Sequence, residues 1–217
     1  MKSHLKHTIS MLGLSTLALS FSANSLANTE VSYNITFASH YNWRGFDLSD
    51  GGPVLQGSVE VAKENGLYAG VWTSQYDFAG VENGFEVDLY AGYSFDLADG
   101  FYVDMLINSY QYTGATESSI EWMVGLGHDY FAFNYYQDLD LDTDYLELNV
   151  SYPLSDEVSA NIHYGLNDDG VDRYSDYSVI VGYAFDEFGE ISVGYSDHEF
   201  SMGEADEQLF FNFSANF

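Results

Sequence analysis

The stretch Leu209–Phe217, LFFNFSANF, places an apolar residue at every second position, with Asn or Ser at most of the positions between them. Such a period of two is typical of a β-strand that has one apolar and one polar face. The whole chain is acidic, with five Lys and Arg against 34 Asp and Glu. An aromatic stripe in such a chain needs an apolar environment to cover it, either a protein core or lipid.

The same alternation recurs along most of the chain. Candidate strands begin near residues 31, 55, 67, 85, 101, 120, 131, 146, 158, 177, 191 and 209. In the third of these, residues 67–75, both faces are fairly apolar, so its orientation stays open. The pattern predicts about twelve strands of roughly 9 to 11 residues, which is the length that a tilted strand needs to cross a bilayer.

The predicted connections alternate between short and long. Short turns are expected near residues 65–66, 98–100, 128–129, 155–157 and 187–189. Longer connections, most of them acidic, are expected near residues 46–52, 78–84, 113–118, 138–144, 167–174 and 199–206. Short periplasmic turns and longer extracellular loops are the asymmetry of an outer-membrane barrel.

Residues 1–27 have the pattern of a secretory signal peptide. Lys2 and Lys6 precede an apolar run over residues 9–21, and Ser25-Leu26-Ala27 supplies small residues for cleavage. The run is too short for a membrane-spanning helix, which needs about 18 to 20 apolar residues. The sequence therefore predicts one mature domain, residues 28–217.

The mature composition excludes several classes of protein. Three basic residues against 34 acids leave a formal charge of −31 on residues 28–217, which argues against a nucleic-acid partner. A hydrophobic content of 46% argues against disorder. The chain has no Cys, so stability must come from burial and backbone pairing. The 19 Tyr and 16 Phe suit aromatic girdles at membrane interfaces.

A soluble sandwich also alternates apolar and polar faces. The signal peptide, the unequal connections and the lack of charges on the apolar stripes favour an all-β fold, a single closed antiparallel transmembrane barrel of about twelve strands. Outer-membrane lipids and lipopolysaccharide are the expected surroundings. The aromatic Phe217 at the end of an alternating strand resembles the signal that the bacterial barrel assembly machinery recognises.

Three stretches also resemble a known family. They are HYNWRGFDLSDGGPVLQGSVEV (residues 40–61), NGLYAGVWTSQYDF (residues 65–78) and FEVDLYAGYSFDL (residues 85–97). Together they resemble the TorF family of Gram-negative porins, formerly described as conserved hypothetical proteins. The pairs Arg44-Gly45, Gly52-Pro53 and Gln56-Gly57 carry the likeness. The resemblance implies a channel in the cell outer membrane.

Inward-facing polar residues are the candidate pore lining. The set is Arg44, Glu60, Glu86, Asp88, Asp104, Glu121, Glu147, His163, Asp176 and Glu190. In a water-filled lumen these acids would concentrate cations, since low-dielectric walls focus their field. In a filled barrel the same acids, with Arg44 and Tyr hydroxyls, would form a plug of satisfied hydrogen bonds. The sequence leaves both interpretations open.

Arg44 is the most distinctive single candidate for a functional residue, because it is one of the three basic residues outside the signal peptide. Alternation predicts that it faces inward near the outer end of the first strand. There it would shape the mouth of the pore or anchor the first loop. The sequence predicts one of three acidic partners for it: Asp47, Glu60 or Asp88.

Other chemistry has weaker support. Asp138, Asp140, Asp142 and Asp144 invite a calcium interpretation but lack the Gly and Glu of an EF-hand loop, so a solvated loop is expected. No motif marks His40, His128, His163 or His198 as catalytic. The prediction is a passive, cation-preferring channel with no cofactor, metal site or catalysis. The alternatives are a non-conducting adhesive barrel and a lipid-modifying enzyme.

Overall fold

A computed structural model describes residues 29–77, 82–114, 117–170, 172–185, 189–200 and 207–217. The predicted signal peptide lies outside these residues. The strands are β1 (Thr29–Ala38), β2 (Asn42–Trp43), β3 (Phe46–Asp47), β4 (Val54–Lys63), β5 (Leu67–Tyr76), β6 (Gly84–Asp96), β7 (Tyr102–Tyr112), β8 (Ser119–His128), β9 (Phe131–Asp138), β10 (Thr143–Pro153), β11 (Val158–Asp168), β12 (Arg173–Ala184), β13 (Gly189–Phe200) and β14 (Gln208–Asn216).

Twelve of these strands, β1 and β4 to β14, form one closed antiparallel barrel, while β2 and β3 pair only with each other. This confirms the predicted fold class. The sheet closes where β1 meets β14, with Thr36 opposite Ser214. The backbone N–H groups of Tyr33 and Phe217 each donate to the other residue's carbonyl at 2.9 Å. Closure matters because an unpaired strand edge cannot be satisfied inside a bilayer.

The apolar stripes point outward. Ile35, Phe37, Leu209 and Phe211 are each more than half exposed. In water such a surface would be strongly unfavourable, whereas in a bilayer it meets hydrocarbon. The barrel is therefore inside out relative to a soluble protein, with its apolar residues outside and its polar residues enclosed.

Strand β5, whose orientation the sequence leaves open, follows the same rule. Leu67 and Val71 are 46% and 42% exposed on the outer face. Tyr68 and Trp72 alternate with them and pack against the buried aromatic residues of the interior. The outer face takes the aliphatic residues, and the lumen takes the aromatic residues that carry a polar group.

Aromatic rings gather on the outside near the short turns. Three pairs lie 5.7 to 6.0 Å apart between centroids: Tyr93 with Phe95, Tyr130 with Tyr152, and Phe185 with Phe213. Rings at this level suit the interface between hydrocarbon and headgroups. No helix among the described residues has the length and apolarity needed to cross a bilayer.

We expect a charge on the outer face to destabilise the barrel. Val179 lies at the middle of β12 and is 46% exposed. Val179→Arg should lower the free energy of unfolding in lipid vesicles by about 2 to 4 kcal/mol, because the guanidinium would face the bilayer midplane. Guanidinium chloride titration measures the change, with Val179→Leu as the control. Equal stability of the two variants would contradict a lipid-facing Val179.

Candidate functional site in the barrel lumen

The connection between β1 and β4 carries a short hairpin, which we call the inner hairpin (residues 41–47). Strands β2 and β3 pair Trp43 with Phe46. Between them Arg44 and Gly45 have φ angles of 49° and 86°. Positive φ at both central positions is the mark of a type I′ turn, which favours Gly at the second position. The sequence Trp-Arg-Gly-Phe therefore forms the tip of this hairpin.

The inner hairpin corrects one expectation from the sequence. Alternation predicts a single strand that carries Arg44 on the wall, but β1 ends at Ala38. Arg44 instead sits at the hairpin tip and pairs with Glu121 of β8, at 2.8 Å. The three predicted partners, Asp47, Glu60 and Asp88, are wrong because the hairpin carries Arg44 to another part of the lumen.

The Arg44 guanidinium is held by one carboxylate and three aromatic rings. Only 9% of its side chain and 4% of the Glu121 side chain are exposed. Its Cζ atom lies 4.0 Å from the ring centroid of Tyr145, 4.6 Å from that of Trp43 and 5.1 Å from that of Tyr136. Ring faces and a carboxylate together offset the cost of burying the cation. This contact fastens the inner hairpin to the wall.

Other contacts fix the rest of the inner hairpin. The Asn42 amide donates to Gln208 Oε1 at 2.6 Å and also to Ser196. The Tyr41 hydroxyl donates to Glu86 at 2.9 Å. Because these partners lie on β14, β13 and β6, the hairpin is anchored to three more strands of the wall.

Gly45 makes the tightest contact of the hairpin with the wall. Its carbonyl accepts a hydrogen bond from His198 Nδ1 at 2.9 Å. A Cβ atom at Gly45 would lie 2.7 Å from the Cβ of His198 and 2.9 Å from the Cβ of Asp176. Glycine is therefore required both by the turn and by the close approach to β12 and β13.

The eight predicted acids all lie on the inner face of the wall. Glu86, Asp88, Asp104, Glu121 and Asp176 are at most 5% exposed. The other three, Glu60, Glu147 and Glu190, are partly buried on the same face. Their role as pore lining stays a prediction, as does that of His163.

Six of these acids accept a hydrogen bond from a tyrosine hydroxyl at 2.8 to 3.0 Å. The pairs are Tyr41 with Glu86, Tyr68 with Asp104, Tyr90 with Glu60, Tyr110 with Glu121, Tyr136 with Glu147, and Tyr145 with Asp176. The Tyr surplus suits outer belts, but these six lie inside, as the plug interpretation expects of Tyr hydroxyls. Five of them are in wall strands, at positions that alternate with the apolar stripe, which is the signal that could have placed them.

His163 joins two carboxylates in the lumen. Its Nε2 lies 2.6 Å from Asp176 Oδ1, and its Nδ1 lies 3.4 Å from Glu147 Oε1. The Asn149 side-chain oxygen is 3.0 Å from Nδ1. A protonated imidazole would donate to both sides, so His163 can add a second positive charge to the lumen.

The lumen also contains open space. A partly open cavity of about 50 Å³ lies between the inner hairpin and the wall. Trp72, Asp88, Glu147 and Asp176 contribute to its lining. The hydrogen-bonded network and an open cavity therefore coexist, whereas the sequence posed a plug and a water-filled lumen as alternatives.

The acidic turn after β9 does not form a metal cage. Asp138 Oδ1 accepts the backbone N–H groups of Asp140 and Leu141 at 2.9 and 2.8 Å, and Asp140 accepts that of Ile120. These carboxylates cap a turn. Within the described ranges no group of three or more candidate ligands could hold a metal ion.

One family model and several solved structures resemble this chain. A family model described as "Bacterial protein of unknown function (Gcw_chp)" matches residues 22–213. It does not carry the TorF name, which stays a prediction. No curated protein matches the chain.

Three solved structures illustrate the likeness. The KdgM porin has a TM-score of 0.63 at 10% identity, over 86% of this chain and 98% of that one. The KdgM porin in complex with disordered oligogalacturonate has a TM-score of 0.58 at 11% identity, over 87% and 98%. The COG4313 outer membrane channel from Pseudomonas putida F1 has a TM-score of 0.58 at 10% identity, over 90% and 96%. The shared barrel, the apolar outer face and the aromatic belt locate the chain in the outer membrane.

We expect Gly45→Ala to release the inner hairpin from the wall, because the added Cβ would collide with His198 and the turn would be strained. Acrylamide quenching of Trp43, with Trp72 and Trp122 replaced by Phe, should increase.

Gly51→Ala is the matched control for this substitution. Gly51 lies in the same connection with φ of 73°, but a Cβ there would have nothing within 4 Å. It should leave the quenching unchanged. An equal response of the two variants would contradict the close contact of Gly45 with the wall.

Proposed function

The chain belongs to the bacterial family Gcw_chp, and we propose that it is a porin-like channel of the outer membrane that passes small solutes by diffusion and prefers cations. The observation that carries the proposal is the cavity, bordered by inward carboxylates, inside a closed, lipid-facing barrel. A soluble binding protein has no need for an apolar exterior around such a cavity.

The charge of the lumen supports the preference for cations. The eight predicted carboxylates face inward, while Arg44 is the single Lys or Arg side chain that the described residues place there. Lys63 lies at the short-turn end of β4, and Arg173 is 81% exposed at the opposite end of the barrel. Low-dielectric walls strengthen the field of such charges and attract ions of opposite sign.

A contrast with one structural neighbour sharpens this proposal. The KdgM porin was solved in complex with oligogalacturonate, which is an acidic oligosaccharide. Buried acids such as Glu86, Asp88 and Asp104 would repel a polyanion of that kind. We therefore propose neutral or cationic solutes for this chain, although the two barrels share a fold.

The inner hairpin supports a role as the constriction of the channel. It crosses part of the lumen and is held to the wall by the ion pair between Arg44 and Glu121. If the ion pair between Arg44 and Glu121 never separated, the hairpin would stay in place, and this would favour the alternative of a non-conducting barrel. Conductance of the purified protein in planar bilayers separates these two functions.

We expect a reversal potential of cation-selective sign in a KCl gradient. Replacing Glu86, Asp88 and Asp104 together by their amides should shift it toward zero, because three inward charges are lost. A control that replaces Asp50, Asp99 and Asp129, which are exposed outside the lumen, by Asn removes the same charge. If both triple variants keep the parent's selectivity, the lumen acids do not set it.

We expect Arg44→Ala to raise the single-channel conductance and the cation selectivity. The hairpin loses the ion pair that holds it to the wall, and the lumen loses a positive charge. Arg173→Ala, which removes an exposed cation at a loop, is the matched control. Lower or unchanged conductance in Arg44→Ala would contradict the role of the hairpin as a constriction.

A further inference from the structure

Asp88 is the lumen acid whose hydrogen bonding is least complete among those that border the cavity. Its Oδ2 accepts from the Asn108 amide at 3.2 Å. Its Oδ1 and the Asn108 Oδ1 are buried and have no hydrogen-bond partner. Both side chains are 2% exposed. Two buried acceptor oxygens, one of them on a carboxylate, are costly unless something donates to them.

The charge around Asp88 also lacks a counterion. Glu86, two residues earlier on β6, is equally buried and accepts from the hydroxyls of Tyr41 and Tyr112. The ion pairs of the described residues include none with Glu86 or Asp88. Hydroxyls lower the cost of these charges but do not neutralise them. This corner of the lumen therefore favours a cation.

Aromatic rings lie beside the same carboxylate. Trp72 is directly opposite Asp88 across the β5–β6 pair. The Tyr41 ring lies 5.5 Å from the Trp72 ring between centroids. Both rings and Asp88 border the cavity. Ring faces attract ammonium and guanidinium groups, particularly where water is excluded.

Arg44 shows that this lumen holds an organic cation by such chemistry. Its guanidinium rests on Glu121 and on the rings of Tyr136 and Tyr145. The same combination of a carboxylate and aromatic rings occurs at Asp88, Trp72 and Tyr41. There, no Lys or Arg of the described residues occupies it. Aromatic rings supply no oxygen ligands for a hard metal ion, and the described residues offer no cluster of metal ligands there.

We propose that Asp88, Trp72 and Tyr41 form a binding site for a small organic ammonium cation within the channel, with Asn108 supporting the Asp88 carboxylate. The N–H groups of the cation donate to the Asp88 carboxylate, and its alkyl part packs on the two rings. The proposal rests on the proposed function and specifies its solute class. The site would hold a permeating amine briefly beside the inner hairpin.

Block of the potassium current tests the site. Ethylammonium chloride added to the parent channel in planar bilayers should reduce the KCl current, and the reduction should saturate as its concentration rises. Asp88→Asn should raise the half-blocking concentration roughly tenfold or more, because the charge-assisted hydrogen bond is lost. Asp129→Asn is the matched control, since it removes the same charge from an exposed carboxylate in the turn between β8 and β9, outside the lumen. It should keep the parent's block.

A second probe tests whether a hydrogen bond to the Asp88 carboxylate takes part. Tetramethylammonium has the same charge and no N–H group, so it should block more weakly than ethylammonium. Equal block by both cations would overturn the role of that hydrogen bond. Equal block of the parent and of Asp88→Asn by ethylammonium would overturn the site.

A binding measurement separates failure of the site from failure of the channel. The fluorescence of Trp72 in detergent, taken as the difference between the parent and Trp72→Phe, should change on titration with ethylammonium. Asp88→Asn should weaken this response. If the parent conducts no ions, the proposed function falls and the Trp72 titration alone decides the site. A Trp72 signal that ethylammonium does not change would overturn the site even in a conducting channel.

Discussion

The pairing of β1 with β14 is the constraint on which the rest of the structure depends. A sheet in lipid cannot leave a strand edge unpaired, since no water is present to satisfy the N–H and C=O groups. Once the sheet is closed, the period of two sends every second side chain into an enclosed space. The outer stripe can then be apolar where it meets hydrocarbon, and the polar residues of the wall at that depth find their partners inside.

This enclosure explains the composition of the lumen. The eight predicted acids face inward, and tyrosine hydroxyls of the inner hairpin and the wall donate to six of them without adding charge. The inner hairpin supplies the arginine, and His163 adds a group that can become positive. The interior is hydrogen-bonded and still predominantly negative. Such an interior favours cations over anions whether the cation is carried by the chain or enters from solution.

Much of the fold could be predicted from the sequence, whereas the centre of the site could not. Alternation in segments such as residues 209–217 is a local pattern, and it identified the strands and their outer faces. The inner hairpin was missed because Asn42 and Arg44 continue the alternation of β1, while the positive φ angles of Arg44 and Gly45 are visible only in the backbone. The contact of Arg44 with Glu121 joins residues 77 positions apart and depends on the fold as a whole.

Bromolipid quenching of tryptophan fluorescence tests the central claim most directly, because it asks which side chains of one strand meet lipid. A single Trp would be placed at Phe213 or at its neighbour Asn212 in a barrel whose native Trp residues are replaced by Phe. The structure predicts strong quenching at position 213, which is 48% exposed on the outer face, and weak quenching at position 212. Equal quenching at the two positions would contradict a closed barrel with a lipid-facing exterior and an enclosed polar lumen.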